Sequence, residues 1–293
     1  MTRTRVRVDN VRVLKLGGEL IEALDARTRM ATLIAGLAGP STVGSAGDAG
    51  LIVVHGGGKA IDAELARRGI APKKVDGLRI TDADTLDAVI AVLAGTTNTA
   101  LVASLVAAGV NAVGLTGVDA GCGRATRVAP ITSTKGDVVS LGLVGDPTDA
   151  DPALFQTLVS AGYVPVVACL GVDHAGQVLN VNADVIACRI AAAVGATELI
   201  IAGTTAGVFD ANGATIATLD SDAMDALIAS GTANAGMVAK LNACRTALDA
   251  GVGAVRIVDG KDLVTGTTLR RASRPARPTY VARTDFEVRG GRA

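Results

Sequence analysis

Two short stretches place bare backbone beside a lysine. In "KLGGEL", Lys15 is followed by Gly17 and Gly18, and in "VVHGGGKAID" three glycines, Gly56, Gly57 and Gly58, follow an apolar run. A helical pattern comes after each. Peptide N–H groups with no side chain in the way, backed by a helix N-terminus, suit a phosphate or another oxyanion. A strand lysine beside them supplies a mobile positive charge. Because strand, Gly-Gly and helix occur twice, the two loops are expected to flank one site at the carboxyl ends of a sheet, where open α/β sheets bind ligands.

Other glycine-dependent chemistries fit less well. A P-loop needs Gly-Lys followed by Ser or Thr, but Lys59 is followed by Ala60. No G-x-G-x-x-G occurs, so the dinucleotide fingerprint is absent. An HGGG oxyanion hole would need a G-x-S-x-G elbow, and the nearest string, "GTTAG" at 203–207, has threonine at its centre.

Composition narrows the class further. The 293 residues are 49% hydrophobic and 19% charged, enough for a large domain or two lobes with a sizeable core. Basic and acidic residues balance at 28 each, so no global field points to nucleic acid or a membrane. Five aromatic rings, two Tyr and three Phe, are too few for a base-stacking platform. Cys122, Cys169, Cys188 and Cys244 form no CxxC pair, and three lie in apolar runs as small buried hydrophobes, which fits a reducing cytoplasm. With only His55 and His174, a histidine-rich metal site is not expected. The charged start has no signal-like apolar segment, and no uninterrupted apolar run reaches spanning length.

The elements that must position the glycine loops alternate in type. Apolar runs at 11–16, 51–54, 112–117, 164–170, 198–203 and 254–260 read as strands buried on both faces. Longer helical patterns lie between them, several closed by glycine. This is an α/β chain with a mostly parallel central sheet, expected as a three-layer αβα sandwich. Residues 122–152 alternate with turn residues and read as a β-hairpin excursion. Residues 38–50 read as a surface loop, and the arginine-rich stretch from Arg270 as a solvated tail.

Eight motifs in order, "KLGG" (15–18), "VHGGGKAID" (54–62), "GLRITDADTL" (77–86), "GTTN" (95–98), "GLTGVDAG" (114–121), "LGLVGD" (141–146), "LNVNADVIA" (179–187) and "AGMVAKLNAC" (235–244), carry a resemblance. The chain resembles the amino acid kinase family over about residues 11–268. "NVNAD", "GMVAK" and "GLRITD" favour its acetylglutamate branch. The resemblance implies transfer of the γ-phosphoryl of ATP to the side-chain carboxylate of N-acetyl-L-glutamate, in arginine or ornithine biosynthesis. Mg²⁺ would arrive with ATP, held mainly by phosphate oxygens and water. It also implies an N-terminal lobe (1–175) for the acyl amino acid and dimerisation, and a C-terminal lobe (176–269) for the nucleotide, followed by a basic tail (270–293).

The same resemblance assigns roles. Lys15 and Lys240 would stabilise the transferring phosphoryl from two sides, with Asp184 holding both. Gly17, Gly18, Gly57 and Gly58 would offer N–H groups to phosphoryl oxygens and substrate. Arg79 would grip the α-carboxylate, and Asn180 and Asn182 would contact the amide or carboxylate. Gly203, Thr204, Gly207 and Gly236 would border ATP. His55 reads as structural. No general base is required, because a carboxylate nucleophile is already ionised at neutral pH.

Two departures stand out. "AGTTAG" puts Gly203 where the family has an aspartate, and "GTT" at 266–268 follows "VDGKD" at 258–262 almost at once, so the family's last helix is expected to be shortened or missing. Only ten residues precede the first strand and they look extended, so an arginine-responsive N-terminal helix is not expected and a homodimer is. Alternatives are a kinase for a related acyl amino acid, such as an N-acetyl- or carrier-linked aminoadipate or N-succinylglutamate, and a catalytically silent amino-acid-binding module.

Overall fold

The computed structural model describes residues 10–39, 49–148, 150–233 and 235–272. The residues before the first strand, most of the 38–50 loop and the tail beyond 272 lie outside them, so those three expectations are not addressed.

The centre is an eight-stranded sheet in the order β14-β16-β15-β13-β1-β2-β10-β5. Its strands are β1 (Val11–Leu16), β2 (Gly50–His55), β5 (Ala112–Thr116), β10 (Val164–Ala168), β13 (Glu198–Gly203), β14 (Thr218–Leu219), β15 (Ala254–Asp259) and β16 (Gly266–Leu269). All neighbours pair in parallel except β15 and β16. The antiparallel return at β16 was not legible in the sequence. A turn at 260–265 joins β15 to β16, with no helix between them, and Leu263 sits there with φ of 59°.

Among the described residues, eight α-helices pack on the sheet: α1 (Leu24–Ala38), α2 (Gly58–Arg67), α3 (Ala83–Ile90), α4 (Asn98–Ala107), α5 (Pro152–Ser160), α6 (Ala183–Val194), α7 (Ser221–Ala229) and α8 (Ala235–Asp249). They divide into two cores. Val11, Val13, Ile52 and Val54 point to the side of α2, α3, α5, α6 and α8. Leu14, Leu16, Leu51 and Val53 point to the side of α1 and α4. The period-two alternation of a strand therefore sends Lys15 to the same face as Val11 and Val13, the face that carries α6. This is the expected αβα sandwich.

The excursion is larger than a hairpin. Strands β6 (Ala125–Arg127), β9 (Val144–Pro147), β11 (Leu170–Val172) and β12 (Val178–Val181) form a lateral sheet in the order β11-β12-β9-β6. Two small hairpins, β3–β4 (Lys74–Val75, Leu78–Arg79) and β7–β8 (Ile131–Thr132, Val138–Val139), stand beside it.

One helix needs separate comment. A π segment, Ala91–Thr97, joins α3 to α4, so Ala83–Ala107 is continuous, and by length and composition alone it would span a membrane. The sequence criterion missed it because Asp84, Asp87 and the small polar residues interrupt the apolar run. Its apolarity has a packing cause: Ala88, Val89, Val92 and Leu93 enter one core, whereas Leu101 and Leu105 enter the other.

Candidate active site

Lys15 leaves β1 between Val54 of β2 and Ile201 of β13, at the carboxyl end of the sheet. The chain then turns: the Gly17 N–H donates to the Ala202 carbonyl (3.0 Å), and the Gly56 N–H donates to the Leu16 carbonyl (3.3 Å). The two glycine loops thus touch. A Cβ on Gly18 would lie 2.9 Å from the Gly57 Cα, closer than side chains tolerate, so bare backbone at Gly18 is a packing requirement as well as a chemical one. Gly57 caps α2 without a side-chain bond, which leaves the helix's first N–H groups to a ligand. Glu22 ties the loops together by accepting from the Ala60 N–H at 3.3 Å.

Asp184 enters from α6. Asn182 caps that helix, its side-chain oxygen accepting from the Asp184 and Val185 N–H groups at 2.9 and 3.2 Å. Asp184 then stands between two ammonium groups: Lys15 Nζ is 2.8 Å from Oδ1 and Lys240 Nζ, arriving on α8, is 3.0 Å from Oδ2. Burial raises the acid's pKa, but the two lysines outweigh it and hold Asp184 at about 2. The triad carries a net charge of about +1 at neutral pH, fixed next to bare N–H groups.

The other end of the cleft is built on the β3–β4 hairpin. Thr81, just beyond it, docks on 141–143: its N–H donates to the Leu141 carbonyl (2.9 Å) and its carbonyl accepts from the Leu143 N–H (2.7 Å). This fixes Arg79, whose Nη2 donates to the Gly58 carbonyl at 3.2 Å and lies 2.6 Å from Asp62 Oδ1. Asn180, on β12, donates to the Thr81 hydroxyl at 3.1 Å. Lys15, Gly17, Gly18, Gly57, Gly58, Arg79, Asn180 and Asn182 all line one cleft of about 310 Å³, about the lower end of small-molecule sites.

The nucleotide-side candidates are placed differently. Gly203, Thr204, Gly207 and Gly236 lie outside the walls of that cleft. Gly203 ends β13, its carbonyl accepting from the Gly260 N–H (2.8 Å), and a Cβ there would meet nothing within 4 Å. Gly207 has φ of 106°, and a Cβ there would lie 2.6 Å from Thr267 Oγ1, which is sufficient reason for glycine. Gly236 is exposed in the first turn of α8. His55 is buried between Asn98, whose amide donates to Nε2 (3.0 Å), and the Gly56 carbonyl, which accepts from Nδ1 (3.1 Å). Desolvation pushes its pKa down to about 4, so it is a neutral structural histidine at physiological pH. Sequence reasoning missed Asp62, Lys74 and Glu19. Asp62 had a signal, since it closes the "VHGGGKAID" motif one helical turn after Gly58.

Two cations sharing one carboxylate beside paired N–H loops gather fixed positive charge and bare donors where an anionic group could be held. The chain belongs to the amino acid kinase family, which matches residues 10–259. It is 45% identical to acetylglutamate kinase of Symbiobacterium thermophilum, over 72% of this chain and 73% of the relative. It is 42% identical to the enzyme of that name from Solibacter usitatus, over 85% and 90%. The crystal structure of the Streptococcus mutans protein smu.665 superposes with a TM-score of 0.72 at 29% identity, covering 89% of this chain and 98% of that one.

Proposed function

We propose that the protein phosphorylates the side-chain carboxylate of N-acetyl-L-glutamate at the expense of ATP, yielding an acyl phosphate in arginine biosynthesis. The observation that carries this reading is a cleft lined by both Lys15, which is ion-paired through Asp184 to Lys240, and Arg79. Both reactants are anions, so bringing them together requires fixed positive charge. Lys15 and the Gly17, Gly18, Gly57 and Gly58 N–H groups neutralise charge that develops on the transferring phosphoryl. Lys240 does so from the leaving-group side. Asp184 keeps the two ammonium groups apart and in place. Arg79 holds the α-carboxylate, with Asn180 and Asn182 beside it. Asn182 uses its oxygen as a helix cap and Asn180 its amide on Thr81, which leaves the Asn182 amide and the Asn180 carbonyl oxygen for the substrate.

Among the described residues no group of three or more His, Cys, Asp or Glu could hold a metal. Mg²⁺ is proposed to come with ATP, coordinated by its phosphates and water, where it would screen phosphate charge. ATP is proposed to lie toward Gly203, Thr204, Gly207 and Gly236, with the 1–175 half serving the acyl amino acid and the 176–269 half the nucleotide. A homodimer is proposed through α4 and the free edge of β5. This rests on the edge position of β5, the exposed Ala103, Val106 and Ala107, and two shallow grooves of about 530 and 480 Å³ lined by small residues of α4. Four buried free thiols suit a cytoplasmic location.

A hydroxamate assay with ATP and Mg²⁺ tests the activity, run with N-acetyl-L-glutamate beside N-succinylglutamate, N-acetylaminoadipate and free glutamate. Product from N-acetyl-L-glutamate alone is expected. Product from a different acyl amino acid alone would move the substrate, and none from any would leave a binding module.

A further inference from the structure

We infer that Asp62 is a positioning residue that aims Arg79, and so sets how strongly the cleft discriminates a free α-carboxylate. The inference rests on the acyl-glutamate reading and adds a residue to it. Asp62 lies on α2, the helix whose N-terminus faces the cleft. Its Oδ1 is 2.6 Å from Arg79 Nη2, and its Oδ2 accepts from Lys74 Nζ at 2.7 Å. Asp62 is only half-buried; that partial burial raises its pKa, but Lys74 and Arg79 outweigh it and pull the carboxyl below the usual range.

The guanidinium shows what this anchoring achieves. The Arg79 side chain is only 8% exposed. Nη2 donates to the Gly58 carbonyl and is ion-paired, without a hydrogen bond, to Asp62 Oδ1, whereas Nη1 is buried with no hydrogen-bond partner. A buried, unpaired donor on a charged group is costly unless a ligand satisfies it. Arg79 lines the cleft, so an incoming carboxylate can supply that partner, and tethering Nη2 prevents the guanidinium from turning Nη1 away. Lys74, Arg79 and Asp62 sum to about +1 at neutral pH, matching one carboxylate. The same composition, two cations on one aspartate, occurs at the reacting end with Lys15, Lys240 and Asp184.

The test uses the full-length protein with N-acetyl-L-glutamate and its α-amide, whose side-chain carboxylate is intact. The wild type is expected to prefer the free α-carboxylate. Asp62→Asn should raise the KM for N-acetyl-L-glutamate by about 10- to 100-fold, as for loss of a charge-assisted contact. It should leave kcat within about threefold and shrink the acid-over-amide preference by the same factor. In an Arg79→Ala background, Asp62→Asn should add nothing further, because a residue acting through Arg79 has no route of its own. Should Asp62→Asn not fold, Asp62→Glu, which keeps the charge, is expected to retain most of the preference. The inference is overturned if Asp62→Asn leaves the preference unchanged, or if its effect persists without Arg79. A wild type that shows no acid-over-amide preference would instead overturn the assignment of Arg79 to the α-carboxylate.

Discussion

Asp184 joins Lys15 and Lys240 in the proposed reacting centre, and its ionisation has a pH consequence. Its folded pKa, about 2, lies below the ordinary 3.8. The stability it contributes is therefore fully present above the ordinary value and is lost as pH falls through about 2. No inflection from Asp184 is expected in a kcat profile at neutral or mildly acidic pH. Asp184→Asn removes the counter-charge and leaves two ammonium groups facing each other, so kcat should fall by about 10²- to 10³-fold. Lys240→Ala should cost a similar factor while N-acetyl-L-glutamate, titrated by calorimetry, still binds. Loss of binding in both variants would mean that the triad builds the pocket rather than the chemistry. His55 behaves in the opposite sense to an exposed histidine. Burial lowers its pKa from 6.5 to about 4, so it favours the fold above 6.5 and loses that contribution as pH falls toward 4. The full linkage is on the order of 3 kcal/mol. A His55→Gln variant should show a flatter decline in urea midpoint between neutral and acidic pH than the wild type.

At the scale of elements, the contact between the two glycine turns is the feature most open to test. Gly18→Ala would set a Cβ 2.9 Å from the Gly57 Cα, where only backbone could move. Overpacking of this kind costs about 1–3 kcal/mol, and a shift of about 1 Å in reacting groups can cost about 100-fold in rate. Activity is therefore expected to drop far more than thermal stability. Gly36→Ala on α1, where the new Cβ meets nothing within 4 Å, serves as the control and should stabilise slightly. Equal activity in the two variants would sink the argument. The π segment is the other positioning device. It feeds into Asn98, whose amide donates to His55 Nε2 and to the Val166 carbonyl (2.9 Å), stapling α4 to β2 and β10 behind the HGGG turn. "GTTN" could be quoted as a motif, but nothing in its composition announces a π turn, because that geometry follows from the packing at both ends of the helix.

For the whole molecule, the proposed dimer face gives a prediction in solution. The chain mass is 29.2 kDa, so light scattering behind a sizing column should return about twice that. Ala103→Asp together with Val106→Asp, both exposed on α4, should yield monomer without unfolding, since neither is in the core. An unchanged mass would move the interface elsewhere.

The sequence by itself determined the layered fold, because apolar runs buried on both faces and glycine-closed helices admit few arrangements. Strands 11–16 and 198–203 were bounded as observed, and the lysines, aspartate, arginine and glycine turns were legible through ordered motifs. Only the tertiary structure decided how charges pair. Lys15, Asp184 and Lys240 are far apart along the chain and meet because β1 alternation, an Asn182 cap and α6–α8 packing converge. Asp62 reads from sequence as one more helical surface acid. Its partners come from a two-stranded hairpin whose placement depends on Thr81 docking on 141–143. The lateral sheet and the antiparallel return at β16 were hidden for a related reason. Short strands carry too little periodicity to declare themselves, and their pairing is set by long-range contacts that no local pattern encodes.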